Sequence, residues 1–453
     1  MPVSVVESLA RQLAEKRVSA RSLVEEALGR AFDPAGEGAR SFIAIDAAGA
    51  RETADHIDRL RRRGRAPSPY AGIPISVKDL FDLAGEVTTA GSVILKEAPP
   101  ATLDALAIAR LKSHGFIVLG RTNMTEFAYS GVGLNPHYGT PLCIHDRATG
   151  RIPGGSSSGA AISVADRICA LGIGTDTGGS CRIPAAFNGV VGWKPTVGRV
   201  PTRGVYPLST TLDSVGPLAR TVTDCFIADA IMADDEVASL ETPPPGGMRL
   251  GVLRSLVLDD LDPPVAHDFA RVLARLAAAG VRIDDVAFEA VTRFAALNAK
   301  GGISAAEAHA HHAPMIAARR DAYDPRVVNR ILHGAAITSG DLIGIHRARA
   351  EMMRQFHKVA EGFDALILPT TPNIAPPISA LSSDDDYLRI NMRSLRNTII
   401  GNFLGVCAIS LPMAAPGEPP TGIMLMARGG SDRRLFRVAR GVEAVLATES
   451  SGD

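Results

Sequence analysis

From Pro67 to about Asp234 the chain repeats one texture: a short apolar run, a helical stretch, then another short apolar run. "GIPISVKDLF" is followed by "TLDALAIARLKSHG" and then "FIVLGRTN". "GAAISVADRICALGIGTD" continues with a helical pattern running into an apolar one. Glycine and small residues punctuate the whole stretch. Short apolar runs bounded by turn residues and separated by helical spacing are the pattern of buried strands joined by helices. The order predicts an α/β fold, a sheet sandwiched between helices on both faces.

The flanks fit around such a core. "VESLARQLAEKRVSARSLVEEALGRAF" places Val6, Leu9 and Leu13, then Leu23, Val24, Ala27 and Leu28, at helical spacing, with Ser19 as a candidate N-cap between two helices. Ser41 to Gly64 reads as a short strand followed by a helix, and its basic end "RLRRRGR" reads as a solvated helix terminus. After the Pro/Gly junction Leu240 to Gly247 come "MRLGVLR", a helix with Pro264 near its start and Gly280 at its end, and "VRIDDVAF", a βαβ-like unit. Residues 290 to 358 look helical. "FDALILPTTPNIAPPI" reads as a buried strand entering a Pro-rich loop, and "NFLGVCAISLP" and "PTGIMLMA" add strands. The last helix carries Leu435, Val438, Val442 and Val445 on one face. This divides the chain into an N-terminal helical segment (1–66), a core (67–235), an α/β and helical region (236–358), which the resemblance below makes variable and substrate-shaping, and closing strands and helix (359–453). We expect them to form one compact unit.

Composition removes several function classes. Lys plus Arg, 48, balances Asp plus Glu, 48, so there is no global basic field for nucleic acid or an anionic membrane. The five cysteines are scattered without CxxC spacing, which argues against a disulfide framework or a zinc site. The N-terminus lacks the apolar block of a signal peptide, and no run is long enough to span a membrane. A soluble cytoplasmic protein is expected.

Three segments carry chemistry. Lys78 closes the apolar run Ile73, Ile75, Val77 and should be drawn inward. Burial would lower its pKa and make a neutral amine available as a base; the plainer reading pairs it with Asp79 or Asp82. "IPGGSSSGAA" is either a helix entry with serine caps or part of a site; it lacks the phosphate-loop pattern. "GIGTDTGGSCRIPAAF" presents Ser180 at a tight turn. Asp176 could hold backbone amides there, or the N–H groups of Thr177, Gly178, Gly179 and Ser180 could converge as an oxyanion hole. A serine nucleophile needs a base, and no histidine lies nearby in sequence.

Together these segments resemble the amidase signature family. "GGSSSGAAISVADRICALGIGTDTGGSCRIPAAFNGVVGWKPT" is similar to the signature block, with "YAGIPISVKDLFDLAGEVTTAGS" and "LKSHGFIVLGRTNMTEFAYSG" upstream. "RVPTRGVYPLSTTLDSVGPLARTVTD", "LILPTTP" and "LGVCAISLP" match downstream, while residues 245 to 358 match weakly. The resemblance implies the amidase signature fold, a large mixed sheet between helices. It implies a Ser-cisSer-Lys triad: Ser180 as nucleophile, Ser156 as bridging serine after a cis Gly155–Ser156 bond, and Lys78 as base. It makes Thr177 to Ser180 the oxyanion hole, Ser157, Asp176 and Arg182 supporting residues, and Ala128 and Tyr129 substrate contacts. No metal or organic cofactor is called for.

The function implied is a stand-alone amidase that hydrolyses a small carboxamide to a carboxylate and ammonia or an amine through an acyl-enzyme. A second reading is the glutamine-hydrolysing subunit of a tRNA-dependent amidotransferase, in which Arg330 could serve the glutamine carboxylate; "LRNTIIGNFLG" offers no acidic residue for the amine. A third is a non-catalytic binding or scaffold protein, against which the intact Lys78, Ser156 and Ser180 argue. Homodimers are common in the family, and the sequence leaves assembly and the particular amide open. Ser158, Asn188, Met424 and the loop "PLCIHD" depart from the family's usual residues. Cys181 is a rival nucleophile on thiol chemistry alone. His309 and His312 lack acidic or cysteine partners at ligand spacing and are expected at the surface or on a pocket wall.

Overall fold

The computed structural model describes residues 2–448. Eleven strands make one sheet: β1 Phe42–Ile45, β2 Pro74–Lys78, β3 Ile117–Thr122, β4 Leu171–Thr175, β5 Val191–Lys194, β6 Val215–Ala219, β7 Arg249–Leu253, β8 Arg282–Val286, β9 Ala365–Pro369, β10 Cys407–Pro412 and β11 Gly422–Ala427. Their order is β1-β3-β2-β4-β6-β5-β10-β11-β9-β7-β8. The sheet is mixed. β3, β2 and β4 run parallel, as do β9, β7 and β8, and the strands between are antiparallel. The expected βαβ unit is present: helix Pro263–Ala278 connects the parallel pair β7 and β8, with prolines in its first turn.

Alternation along the strands assigns the two faces. Leu171 and Ile173 of β4, Val191 and Trp193 of β5, Ile409 of β10 and Leu425 of β11 join the core under helices Val222–Ala233 and Asp432–Leu446. Leu435, Val438, Val442 and Val445 of the last helix are buried there as the sequence spacing predicts. The opposite side of β4 carries glycines. A Cβ on Gly172 would come within 2.6 Å of the Ala160 carbonyl oxygen, so helix Ser158–Ala165 lies directly on the strand backbone. Helices therefore cover both faces. Met424, Met426, Leu366 and Leu368 point to the same side as these glycines and pack a second cluster with Phe403 and Phe356.

The N-terminal pair, Val5–Ala14 and Ala20–Ala31, forms as expected, and Ser19 caps the second helix reciprocally with Ser22. The basic helix end is solvated at Arg59, Arg62, Arg63 and Arg65, while Arg61 donates to the Ala71 and Pro69 carbonyls. Among the described residues no helix is long and apolar enough to cross a membrane.

Candidate active site

β2 and β4 are parallel neighbours, so their C-terminal ends open on the same edge of the sheet. Lys78 is the last residue of β2 and Thr175 the last of β4. Lys78 is fully buried. Its Nζ donates to Ser156 Oγ at 2.8 Å and to Thr175 Oγ1 at 2.9 Å. Neither Asp79 nor Asp82 takes it. Asp79 pairs with Arg121 at 3.3 Å, and Asp82 accepts from Thr88 Oγ1 at 2.7 Å. Burial pulls the Lys78 amine down to about 8, against the opposing field of Asp176 and Asp213. A second buried lysine, Lys194, is also drawn down to about 8 by burial, but its Nζ donates to the Pro195 and Val406 carbonyls and meets no hydroxyl.

Ser156 follows a cis Gly155–Ser156 peptide bond. The segment on either side is tied to the turn 125–131: Thr125 N–H donates to the Ser156 carbonyl at 3.2 Å, and Gly155 N–H to the Gly131 carbonyl at 2.8 Å. Ala128 and Tyr129 lie in that turn, both buried, with Phe127 and Ala128 at positive φ of 48° and 60°. Ser157 does not cap its helix. Its hydroxyl donates to the Thr175 carbonyl at 3.2 Å, and its N–H donates to the Ser180 carbonyl at 3.2 Å, which brings the two serine loops together. Among the described residues no hydrogen bond joins Ser180 Oγ directly to Ser156 Oγ.

Asp176 organises the turn that carries Ser180. It accepts from the N–H groups of Gly179 at 2.9 Å, Cys181 at 3.1 Å and Arg182 at 3.4 Å. Arg182 grips it with Nε at 3.0 Å and Nη2 at 2.8 Å, both side chains fully buried. Burial alone would raise the Asp176 carboxyl; the Arg182 guanidinium overrides this and holds it below the usual carboxylate range. Of the four N–H groups expected to converge on an oxyanion, that of Gly179 is hydrogen-bonded to Asp176. Gly179 has a φ of 137°, and a Cβ there would fall 2.2 Å from Thr398 Oγ1, so only glycine fits.

Residues far away in sequence complete the clamp. Thr398 Oγ1 donates to the Gly178 carbonyl at 2.7 Å, and Asn402 Nδ2 to Asp176 Oδ1 at 2.9 Å. Asn402 Oδ1 accepts from Arg182 Nη2 at 2.7 Å, and Met424 Sδ receives Arg182 Nη1 at 3.0 Å. Thr177 Oγ1 donates to Asp213, whose carboxyl burial pushes up to about 6. Nothing local in the sequence signals Thr175, Asp213, Thr398 or Asn402. The unusual Asn188 holds the unusual loop: its Oδ1 accepts from Ile144 N–H at 3.1 Å, and its Nδ2 donates to the Pro153 and Pro184 carbonyls. Ser158 Oγ donates to the Asn123 carbonyl at 3.3 Å.

Cys181 has the surroundings of an inert thiol. It is fully buried, burial pushes its thiol well up, and its Sγ faces the Gly216 carbonyl at 3.5 Å. Of the two places expected for His312, the surface is ruled out. The ring is buried, packed against Phe127 at 4.4 Å between ring centroids and paired through Nδ1 with Tyr323 Oη at 3.0 Å. Among the described residues no cluster of His, Cys, Asp and Glu gathers into a metal-ligand set. Arg330 stacks on the Tyr129 ring at 4.7 Å, and its Nη1 is buried with no hydrogen-bond partner.

Comparison with known proteins shows the family. A family model described as Amidase matches residues 23–436. A 2-amino-5-chloromuconic acid deaminase of Comamonas testosteroni is 35% identical, covering 88% of this chain and 87% of its own length. A glutamyl-tRNA(Gln) amidotransferase subunit of Acidothermus cellulolyticus is 34% identical over 96% of this chain and 93% of its own. A crystal structure of an amidase superposes with a TM-score of 0.87 at 31% identity, covering 96% of this chain and 98% of that one. On a match over residues 23–436 and these identities the chain belongs to the amidase signature family, hydrolases of C–N bonds.

Proposed function

We propose that the protein is a stand-alone amidase that cleaves a small carboxamide bearing a carboxylate, with Ser180 as nucleophile, Ser156 as proton bridge and Lys78 as base. The observation that carries the reading is Lys78 Nζ itself: buried, drawn down to about 8, and held 2.8 Å from Ser156 Oγ. An amine in that state accepts a proton near neutral pH. Ser180 Oγ attacks the amide carbon and gives its proton to Ser156, whose own proton passes to Lys78. The Ser180–Ser156 contact closes when substrate seats, as catalytic hydrogen bonds commonly tighten in the bound complex. The oxyanion is received by the N–H groups of Thr177, Gly178 and Ser180. Lys78 returns a proton through Ser156 to the departing nitrogen, the C–N bond breaks, and ammonia leaves. Water then attacks the Ser180 ester, giving its proton to the same relay, and the carboxylate is released.

The carboxylate on the substrate is inferred from Arg330. Its guanidinium lies on Tyr129, beside the turn that holds Ser156, and among the described residues it has no ion-pair partner. A buried guanidinium edge left unpaired suits an anionic group of the substrate. The acid in the name of the Comamonas relative supports the same class. Glutamine also carries a carboxylate, but Leu395 to Gly405 offers no acidic side chain for its amine, and Thr398 and Asn402 are committed to Gly178 and Asp176.

The test is ammonia release by the purified chain alone from malonamate, succinamate, acetamide, benzamide, phenylacetamide and glutamine. Carboxylated amides other than glutamine are expected to turn over best. Arg330→Ala should raise KM for them by about 10–100-fold and leave neutral amides unchanged, the size of a lost charge-assisted hydrogen bond. Turnover confined to glutamine would favour the amidotransferase reading, and equal turnover of neutral amides would remove the carboxylate.

A further inference from the structure

The helix Gly302–Arg319 belongs to the variable region, away from the signature block, yet one of its side chains reaches toward the catalytic turn. Glu307 accepts from Ser209 Oγ, from Thr211 Oγ1 and from Thr211 N–H, the last at 3.1 Å. All these donors lie on one loop, between Phe81's bridge partner Val205 and β6. Among the described residues Glu307 has no ion pair. The same loop folds back on Asp213, whose Oδ2 accepts Leu208 N–H at 3.0 Å and Ser209 N–H at 3.1 Å. Asp213 Oδ1 takes the Thr177 hydroxyl. Next to it, Ser214 and Asp176 exchange backbone hydrogen bonds at 2.8 and 3.2 Å. An unbroken run of contacts thus leads from Glu307 through Ser209 and Asp213 to Thr177, the first residue of the turn that presents Ser180.

We propose that Glu307 is a positioning residue for the oxyanion turn: by fixing the loop 206–213 it sets Asp213, and Asp213 sets Thr177. The inference rests on the reading that this turn receives the oxyanion. A helix distant in sequence from the serine loops then holds the donors that stabilise the transition state, so its seating and the chemistry are coupled. A carboxylate suits the post because its two oxygens accept two hydroxyls and an amide N–H at once.

The test compares wild type, Glu307→Ala, Glu307→Gln and Thr211→Val in the full chain. Three readouts are taken: kcat and KM on the best amide, inhibition by a boronic acid that forms a tetrahedral serine adduct, and the rate at which a fluorophosphonate labels Ser180. Glu307→Ala should lower kcat by about 10–100-fold with KM within about twofold, and weaken the boronate in proportion, since a displaced oxyanion donor acts on the transition state alone. Glu307→Gln should recover most of that loss, because its oxygen still accepts and the hydroxyls can turn to meet its amide. Thr211→Val, which keeps the loop's shape, should lower kcat about 3–10-fold and stands in if Glu307→Ala does not fold. The proposal is overturned if Glu307→Ala or Thr211→Val leaves kcat within twofold, if KM rises while kcat holds, or if Glu307→Gln is as impaired as Glu307→Ala. Ser180 that is unlabelled in wild type overturns the catalytic reading itself. Ser180 labelled equally fast in wild type and Glu307→Ala overturns this inference alone.

Discussion

Lys78 closes a strand whose every residue is buried, and its apolar neighbours on β2 and β4 leave the ammonium no carboxylate to lean on. The hydroxyls of Ser156 and Thr175 are what remain. With Lys78 as the proposed base, an amine at about 8 predicts the pH profile of the free enzyme. kcat/KM should climb as pH rises through about 8 and level off above it, because only the neutral amine accepts the proton. Lys78→Ala should lose about 10²–10⁴ in rate and that limb with it; a profile flat from pH 6 to 9 in wild type would contradict the assignment. At this scale the sequence is informative where residues sit in one local pattern. The run ending in Lys78, the serine loop and the glycine turn each announce themselves. Thr398 and Asn402 do not, because they reach Asp176 and Gly178 only through the fold, from the far end of the chain. The Gly179 N–H escapes a sequence reading for a related reason: spacing gives the donors of a turn but not which of them Asp176 will take.

Elements are legible wherever one period holds long enough. The two N-terminal helices, the βαβ unit and the last helix follow from apolar spacing, and the period-two alternation of β4, β5 and β11 tells which side faces which helix. What spacing does not reveal is how elements meet. Helix Asp432–Leu446 puts Glu443 against the start of helix Val222–Ala233, where Oε1 accepts Val222 N–H at 2.8 Å. Burial and the nearby Asp224 push the Glu443 carboxyl up to about 7. A carboxyl whose folded pKa lies above its unfolded value stabilises fully below the unfolded value, and that contribution is lost as pH rises through the folded one. Glu443 therefore makes stability fall between about pH 4.5 and 7. Glu443→Gln keeps the acceptor and removes the titration. Its melting temperature should decline less than that of wild type across this window; a parallel decline would show that the carboxyl titrates normally in the folded chain.

Across the whole molecule, one sheet gathers strands from positions as distant as Phe42 and Ala427. The alternation of short strands and helices predicts an α/β sheet with helices on both faces, but not the strand order. That order depends on pairings between segments hundreds of residues apart, which no local pattern encodes. It is also what makes the site. β2 and β4, brought side by side in parallel, set Lys78 against Thr175, and helices Ser158–Ala165 and Arg182–Asn188 lie close enough on the strands to deliver both serine loops. The C-terminal residues 398–402 and 424 then lock the turn from behind through Arg182.

Ser180, activated through Ser156 by Lys78, is the proposed nucleophile. Intact-mass measurement after exposure to a fluorophosphonate, followed by peptide mapping, tests it most directly. A single adduct on Ser180 is expected in wild type, none in Ser180→Ala, and labelling slowed by orders of magnitude in Lys78→Ala. An adduct on another residue, or equally fast labelling of Ser180 without Lys78, would contradict it.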